Sequence, residues 1–497
     1  MLDALIASLF LLLQWKALSL MLVGMALGFV VGLLPGIGGA ATLALMLPFI
    51  FAMTPVEAFA FLLGMHSVAA TTGDITSILF GVPGEGLSAA TVVDGHPMAK
   101  RGEAGRALGA ALMSSLVGAL IGAAVLALSI PLVRPLVLTF GSPELFMVTV
   151  IGIACIASLS GSGTRAQIKG FAMGLLGLLL ATIGQERQSG TLRFDFGMIY
   201  LWEGLDLIPV LVGIFAIPEI IDLAVRRSAI AGSRPAAELG ADVWEGVKDT
   251  FRHFWLVVRC SAVGVLVGIL PGAGGGVAQW MAYAHAVQSA KDAKDREGFG
   301  HGDVRGVLGP GSANNSKEGG DLIPTIAFGV PGSGAMAILL GAFLIMGLHP
   351  GPDMLTKHLA VTYSMVWTLV LANVITVLLC FAFLKHLAKV TRVPGNIILP
   401  FIILLVFIGS YTANRQIADL LVTLGFGAIG YLMVRYGWPR APLVLGFVLG
   451  KLAETYLFIS VARYGFSWLA QPLVLFLIAL ALTVIAYPYI QERRRAD

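Results

Sequence analysis

Apolar residues run in near-continuous stretches along the whole chain and do not alternate with polar ones, as in Ala107 to Ile130 and in Trp468 to Tyr487, which only Gln471 breaks. Runs of eighteen or more apolar residues match the length a helix needs to cross a hydrocarbon core. Strands of a membrane barrel would alternate apolar and polar positions. Lipid leaves helices and closed barrels as the only ways to satisfy a spanning backbone. The pattern therefore predicts an all-α polytopic membrane protein. Apolar segments fall near 4–33, 38–53, 55–70, 75–93, 105–138, 143–160, 166–184, 205–225, 254–275, 276–290, 322–348, 357–385, 397–409, 416–435, 441–460 and 468–488. Several are shorter than the ~20 residues of a crossing, as re-entrant hairpins and broken helices are, so we expect about ten to twelve full crossings plus hairpins.

The polar stretches divide the chain. Residues 226–253 form a linker with Arg226, Arg227, Arg234, Lys248 and Arg252, between a first half at 1–225 and a second at 254–497. Basic loops stay on the cytoplasmic side, so the linker is expected there. Residues 241–253 alternate apolar and charged positions at helical spacing and predict a short interfacial helix. A second polar loop runs from Lys291 to Arg305. Composition agrees with a lipid environment: 57% of the 497 residues are hydrophobic, 12% are charged, and the mean hydropathy is +0.89. The net charge of +4 is scattered through short loops, which gives no footprint for nucleic acid. Cys155, Cys260 and Cys380 are far apart and read as buried packing residues. The apolar N-terminus lacks a basic n-region and a small-residue cleavage site, and reads as a retained span.

Two unusual motifs each occur twice, in the same order. Gly32-Leu33-Leu34-Pro35-Gly36-Ile37-Gly38-Gly39 returns 236 residues later as Gly268-Ile269-Leu270-Pro271-Gly272-Ala273-Gly274-Gly275. Phe80-Gly81-Val82-Pro83-Gly84-Glu85-Gly86 returns 248 residues later as Phe328-Gly329-Val330-Pro331-Gly332-Ser333-Gly334. Matched pairs at nearly equal offset indicate a duplication of about half the chain, and we expect the two halves to be inverted repeats. Proline removes a donor and glycine eases departure from helical dihedrals, so these motifs predict broken helices or re-entrant hairpins. Broken backbone at membrane depth is tolerated inside protein or beside water. Half-helix N-termini there can hold an anion, and loose carbonyls a cation.

Candidate site residues follow from that placement. For an anionic substrate they are Pro35, Gly36, Gly38, Gly39, Pro83, Gly84, Glu85, Gly272, Gly274, Asn314, Asn315, Pro331, Gly332 and Ser333. For the coupling cation they are Thr72, Asp74, Thr76, Ser77, Asp321 and Thr325, with Na⁺ and H⁺ both open. The bland reading places these aspartates at solvated loop mouths. The loops around Pro83 and Pro331 are expected to meet near mid-membrane in one cavity with Pro35 and Pro271. Asp94-Gly95-His96-Pro97 reads as a turn leaving the membrane, and His66 as a core residue. No other cofactor is implied.

At these motifs the chain resembles the large membrane subunit of the tripartite tricarboxylate transporters, the TctA family. The resemblance rests on the two repeated motifs, on Asp94 to Lys100 with Gly105 to Gly109, and on Ala313-Asn314-Asn315-Ser316 with Gly319-Gly320, across residues 20–355. It departs at Thr72-Gly73-Asp74, at Gly311, and at Lys317-Glu318, which stand where other residues are usual. The resemblance implies a secondary transporter for a carboxylate in a bacterial inner membrane. It also implies a small TctB-like membrane subunit and a TctC-like periplasmic binding protein. Two alternatives remain open. A passive anion channel would not need paired broken helices. An intramembrane aspartyl protease would need two aspartates sharing a proton, and Thr71-Thr72-Gly73-Asp74 supplies only half of such a motif. No Gly-x₄-Gly-Lys-Ser/Thr loop is present for an ATP-driven pump.

Overall fold

The computed structural model describes residues 1–33, 38–81, 88–155, 164–186, 190–225, 242–271, 274–390 and 395–483. The architecture is the expected all-α polytopic one, with a single two-stranded hairpin (Gly184–Gln185 with Leu192–Arg193) among the described residues. The first half contains α1 (Leu2–Leu12), α2 (Trp15–Gly32), α3 (Gly39–Met46), α4 (Pro55–Phe80), α5 (Ala89–Lys100), α6 (Ala104–Val137), α7 (Ser142–Cys155), α8 (Thr164–Ala181) and α9 (Leu207–Val225). A short helix lies where the 241–253 pattern predicts one, α10 (Val243–Arg252). It exposes Trp244 and Phe251, buries Val247 and Asp249, and bends 79° from the helix that follows. The second half contains α11 (Phe254–Ile269), α12 (Gly274–Gln288), α13 (Ala293–Arg296), α14 (Arg305–Phe328), α15 (Gly334–Ile345), α16 (Leu359–Val390), α17 (Gly395–Asn414), α18 (Ile417–Arg435) and α19 (Arg440–Tyr464).

Among the described residues, 5 helices are long and apolar enough to cross a membrane, or 6 if the bent α10–α11 pair is one span. The expected ten to twelve includes helices that fail that test for a physical reason. Helices α4 and α14 have 26 and 24 residues, but carry their polar side chains inward. The segments 55–70 and 75–93, expected to be separate, are joined because α4 runs unbroken through Thr71-Thr72-Gly73-Asp74. Its hydroxyls bond to carbonyls of their own helix: Thr71 to Ser67 at 3.0 Å, Thr72 to Val68 at 2.8 Å, and Ser77 to Gly73 at 3.0 Å. That satisfies them without a break.

The duplicated motifs recur as matched structure. Helices α4 and α14 both stop on a left-handed glycine, Gly81 (φ 68, ψ 18) and Gly329 (φ 68, ψ 19). The positive φ is why glycine follows phenylalanine in both copies. Helix α2 lies along α4 and α11 lies along α14. Helix α4 crosses α14 antiparallel, since Ser67 meets Glu318, Ala70 meets Asn314 and Thr71 meets Asn315. The long helices are exchanged: α6 of the first half packs on α14, and α16 of the second half packs on α4. The α6–α14 contact is glycine-lined. A Cβ at Gly319 would lie 2.1 Å from the Gly122 carbonyl oxygen, and one at Gly118 would lie 2.1 Å from the Ser312 oxygen. Small residues let backbones approach this closely in lipid.

Two ends can be told apart. At one, Arg106 pairs with Asp249 at 2.6 Å, and Arg101 reaches the carbonyls of His301 and Gly302. There Arg305 and the backbone N–H of Lys291 hold the Asp295 carboxyl well below the usual carboxylate range. At the other end, Lys16 pairs with Glu57 at 3.0 Å and Arg193 with Glu454 at 2.7 Å. Asp94-Gly95-His96-Pro97 is not a turn but part of α5. Tertiary contacts override its turn chemistry. Asp94 is fully buried and accepts from the N–H groups of Gly302 (2.8 Å) and Asp303 (3.0 Å) and from the Tyr283 hydroxyl (3.0 Å).

Two outcomes test this arrangement. Gly319→Ala should cost about 1–3 kcal/mol through backbone overpacking. A thermal melt in detergent that matches wild type would show that α6 and α14 are not in contact. Single cysteines at Lys100 and His349, both exposed, should react with an impermeant thiol reagent from opposite sides of the membrane. Labelling from one side would contradict the separation of the two ends.

Candidate functional site

The centre of the molecule is a polar seam between α4 and α14. Asn314 donates to the Ala70 carbonyl at 3.0 Å, and Asn315 donates to the Thr71 hydroxyl at 2.7 Å and to Asn373 of α16. Ser67 donates to Glu318 at 2.6 Å, and His66 Nε2 lies 3.9 Å from the same carboxylate. Lys317 pairs with Asp321 one turn along at 3.0 Å. Every one of these side chains is nearly or fully excluded from solvent. Polar groups in a low-dielectric interior must pair with one another, which fixes the register of the two helices.

Broken helix ends flank the seam. Helix α2 ends with Gly32 pressed on α4, where an added Cβ would meet the Thr72 hydroxyl at 2.0 Å. Helix α11 ends with Gly268 pressed on α14, where a Cβ would lie 3.0 Å from an Asp321 carboxylate oxygen. The Pro331-Gly332-Ser333 loop folds back to the same place, since a Cβ on Gly332 would lie 2.7 Å from that oxygen and 2.3 Å from the Gly268 carbonyl oxygen. Ser333 caps α15 by accepting from the Met336 N–H at 3.4 Å. One half-site thus gathers Gly268, Asp321, Gly332 and the start of α15. In the other half Gly32 packs on Thr72 of α4, two residues before the buried Asp74.

The two aspartates are offset. In the antiparallel pair Asp74 lies level with residue 311, so it is displaced from Asp321 by about 15 Å along the axis at 1.5 Å per residue. The aspartates therefore do not share a proton, and the dyad an aspartyl protease needs is not formed. The expected meeting of the Pro83 and Pro331 loops with Pro35 and Pro271 falls on residues 34–37 and 82–87, outside the described residues. The glycines that end α4 and α14, Gly81 and Gly329, sit at opposite ends of the antiparallel pair.

The remaining candidates are placed as follows. Asp74 and Asp321 are buried within helices rather than solvated at loop mouths. Thr76 bonds to the Gly73 carbonyl at 2.9 Å and Thr325 to the Asp321 carbonyl at 2.6 Å. Gly38 and Gly39 begin α3, with Gly38 accepting from Thr42 at 3.2 Å, and Gly274 begins α12. Pro35, Gly36, Pro83, Gly84, Glu85 and Gly272 lie outside the described residues. Asn373, Ser67, Lys317 and Glu318 are seam residues that the candidate set missed, and His66 is a core residue that also faces a carboxylate. A lone Asn within the apolar run of α16 was the available signal for Asn373. Cys260 and Cys380 are free and buried.

A cavity of about 670 Å³ lies at the end opposite α10, between the starts of α9 and α18 and the ends of α15 and α17. Tyr200, Glu203, Asp206, His349, Asp353, Lys451 and Tyr456 line it, and none of the candidate site residues among the described ones does.

The profile of the Tripartite tricarboxylate transporter TctA family matches residues 18–445. The chain belongs to the TctA family. This TctA chain is 34% identical over 436 residues to an uncharacterised 52.8 kDa protein of the TAR-I ttuC' 3' region of Agrobacterium vitis, covering 88% of this chain and 85% of the other. It is also 34% identical over 194 residues to an uncharacterised protein of the TAR-II ttuC' 3' region of Agrobacterium vitis, covering 39% of this chain and 79% of the other. No solved structure matches it. Membership makes the chain a multi-pass subunit of a tripartite transporter, and a transporter family is not an enzyme family.

The seam yields a direct test of its clamping role. Asn315→Ala removes the donor shared by Thr71 and Asn373, and should cost about 1 kcal/mol, the usual scale for an interhelical hydrogen bond in lipid. A melting temperature in detergent equal to wild type would rule out a structural role for this bond.

Proposed function

We propose that this chain is the membrane subunit that imports a small, tricarboxylate-like anion by cation symport. It works with a periplasmic binding protein and a small membrane subunit, in a bacterial inner membrane. The observation that carries the proposal is a buried aspartate on each of two antiparallel, sequence-related helices, with a helix break packed against one of them, Asp321. Inverted repeats suit alternating access, because equivalent breaks then face opposite sides of the membrane. The antiparallel crossing of α4 and α14 supports inversion. The basic end with Arg101, Arg106 and α10 is the cytoplasmic one in this reading, by the distribution of Lys and Arg. The cavity at the other end is then the mouth that receives solute from the binding protein.

The roles divide by charge. Glycine-rich helix starts offer N–H donors and a positive dipole end to a carboxylate. Buried carboxylates such as Asp74 would repel that solute unless a cation or proton accompanied it. Coupling therefore falls to Asp74 and Asp321 with the neighbouring hydroxyls of Thr72, Thr76, Ser77 and Thr325.

Reconstitution of the three components with an imposed ion gradient tests the proposal. Wild type should accumulate carboxylate solute with saturable kinetics. Asp74→Asn should lose at least tenfold of gradient-driven accumulation while equal-concentration exchange survives. Non-saturable flux, or Asp74→Asn accumulation at the wild-type rate with unchanged ion dependence, would refute the symport reading.

A further inference from the structure

We propose that Lys317 is a tethered cation that fills the half-site at Asp321 and closes it to Na⁺. The proposal rests on the symport reading above and narrows it: of the two aspartates named there for coupling, it leaves Asp74 as the one that takes an ion from solution. The two aspartate-bearing helices are related by the motif repeat, but they are not chemically equal. One turn before Asp321 stands Lys317, whose ammonium lies 3.0 Å from the Asp321 carboxylate, with both side chains buried. One turn before Asp74 stands Ala70, which has no charge to offer.

Three features make Asp321 a poor host for a mobile cation. The ammonium already sits at ion-pair distance on one carboxylate oxygen. The other oxygen is crowded by the Gly332 backbone, where a Cβ would have only 2.7 Å. The carboxylate also lies at the start of α15, whose N–H groups and dipole add positive potential. A Na⁺ placed there would add a second cation to a site that one ammonium already neutralises. Like charges held in a low dielectric repel strongly.

The buried pair also needs a reason to persist. Two buried opposite charges lose hydration that their attraction only partly returns, so apolar replacements are often as stable. A role as a resident counter-ion supplies that reason. It holds the Asp321 carboxyl in place through the transport cycle without an ion from solution. The number of ions moved per solute is then set at Asp74 alone.

Equilibrium ²²Na⁺ binding to the purified protein in detergent, without solute, tests this. Lys317→Gln should bind one more Na⁺ per chain than wild type, and Lys317→Gln with Asp321→Asn should return to the wild-type count. The double variant removes both charges of the pair and leaves no unpaired buried ion, so it remains informative if the single variant is unstable. A Lys317→Gln protein that folds and gains no Na⁺, or a double variant that binds less Na⁺ than wild type, would overturn the proposal. Failure of carboxylate uptake in the reconstituted system would instead remove the symport reading, and leaves this binding result readable on its own.

Discussion

The antiparallel crossing of α4 and α14 is the constraint on which the rest depends. Both helices place a polar row where lipid-facing helices would be apolar. The rows can be buried only if they satisfy one another. Ser67 with Glu318, Ala70 with Asn314, and Thr71 with Asn315 fix the register to within a residue. Beside that crossing Gly32 packs on Thr72, and Gly268 and Gly332 pack on Asp321, so a helix break falls beside that buried aspartate. Site geometry is thus a result of core geometry.

Much of this was legible in the chain because its signals are local. Proline and glycine act on their own backbone, so the repeated Pro-Gly motifs located the breaks, and their spacing revealed the duplication. The matching left-handed caps at Gly81 and Gly329 are the physical content of that repeat. The amphipathic pattern of 241–253 was equally local, and α10 is where it was expected.

What was not legible depends on partners distant in sequence. The run Thr71-Thr72-Gly73-Asp74 reads as a polar interruption, yet it is helix interior because its hydroxyls turn back on their own carbonyls. Asp94-Gly95-His96-Pro97 has turn chemistry, but Gly302, Asp303 and Tyr283 hold Asp94 inside a helix. Lys317 registered only as a departure from a resemblance. Its meaning came from the 3.0 Å pairing with Asp321.

The exchange of long helices between the halves bears on how the chain is made. Helix α6 is synthesised some two hundred residues before α14, the helix its glycine face fits. Helix α4 likewise waits for Asn314, Asn315 and Asn373 before its polar row is answered. During biogenesis the glycine groove of α6 therefore has no partner helix until the second half emerges, while the α4 hydroxyls are already held by their own helix. The two halves are thus interlocked, each supplying a long helix to the other's polar helix.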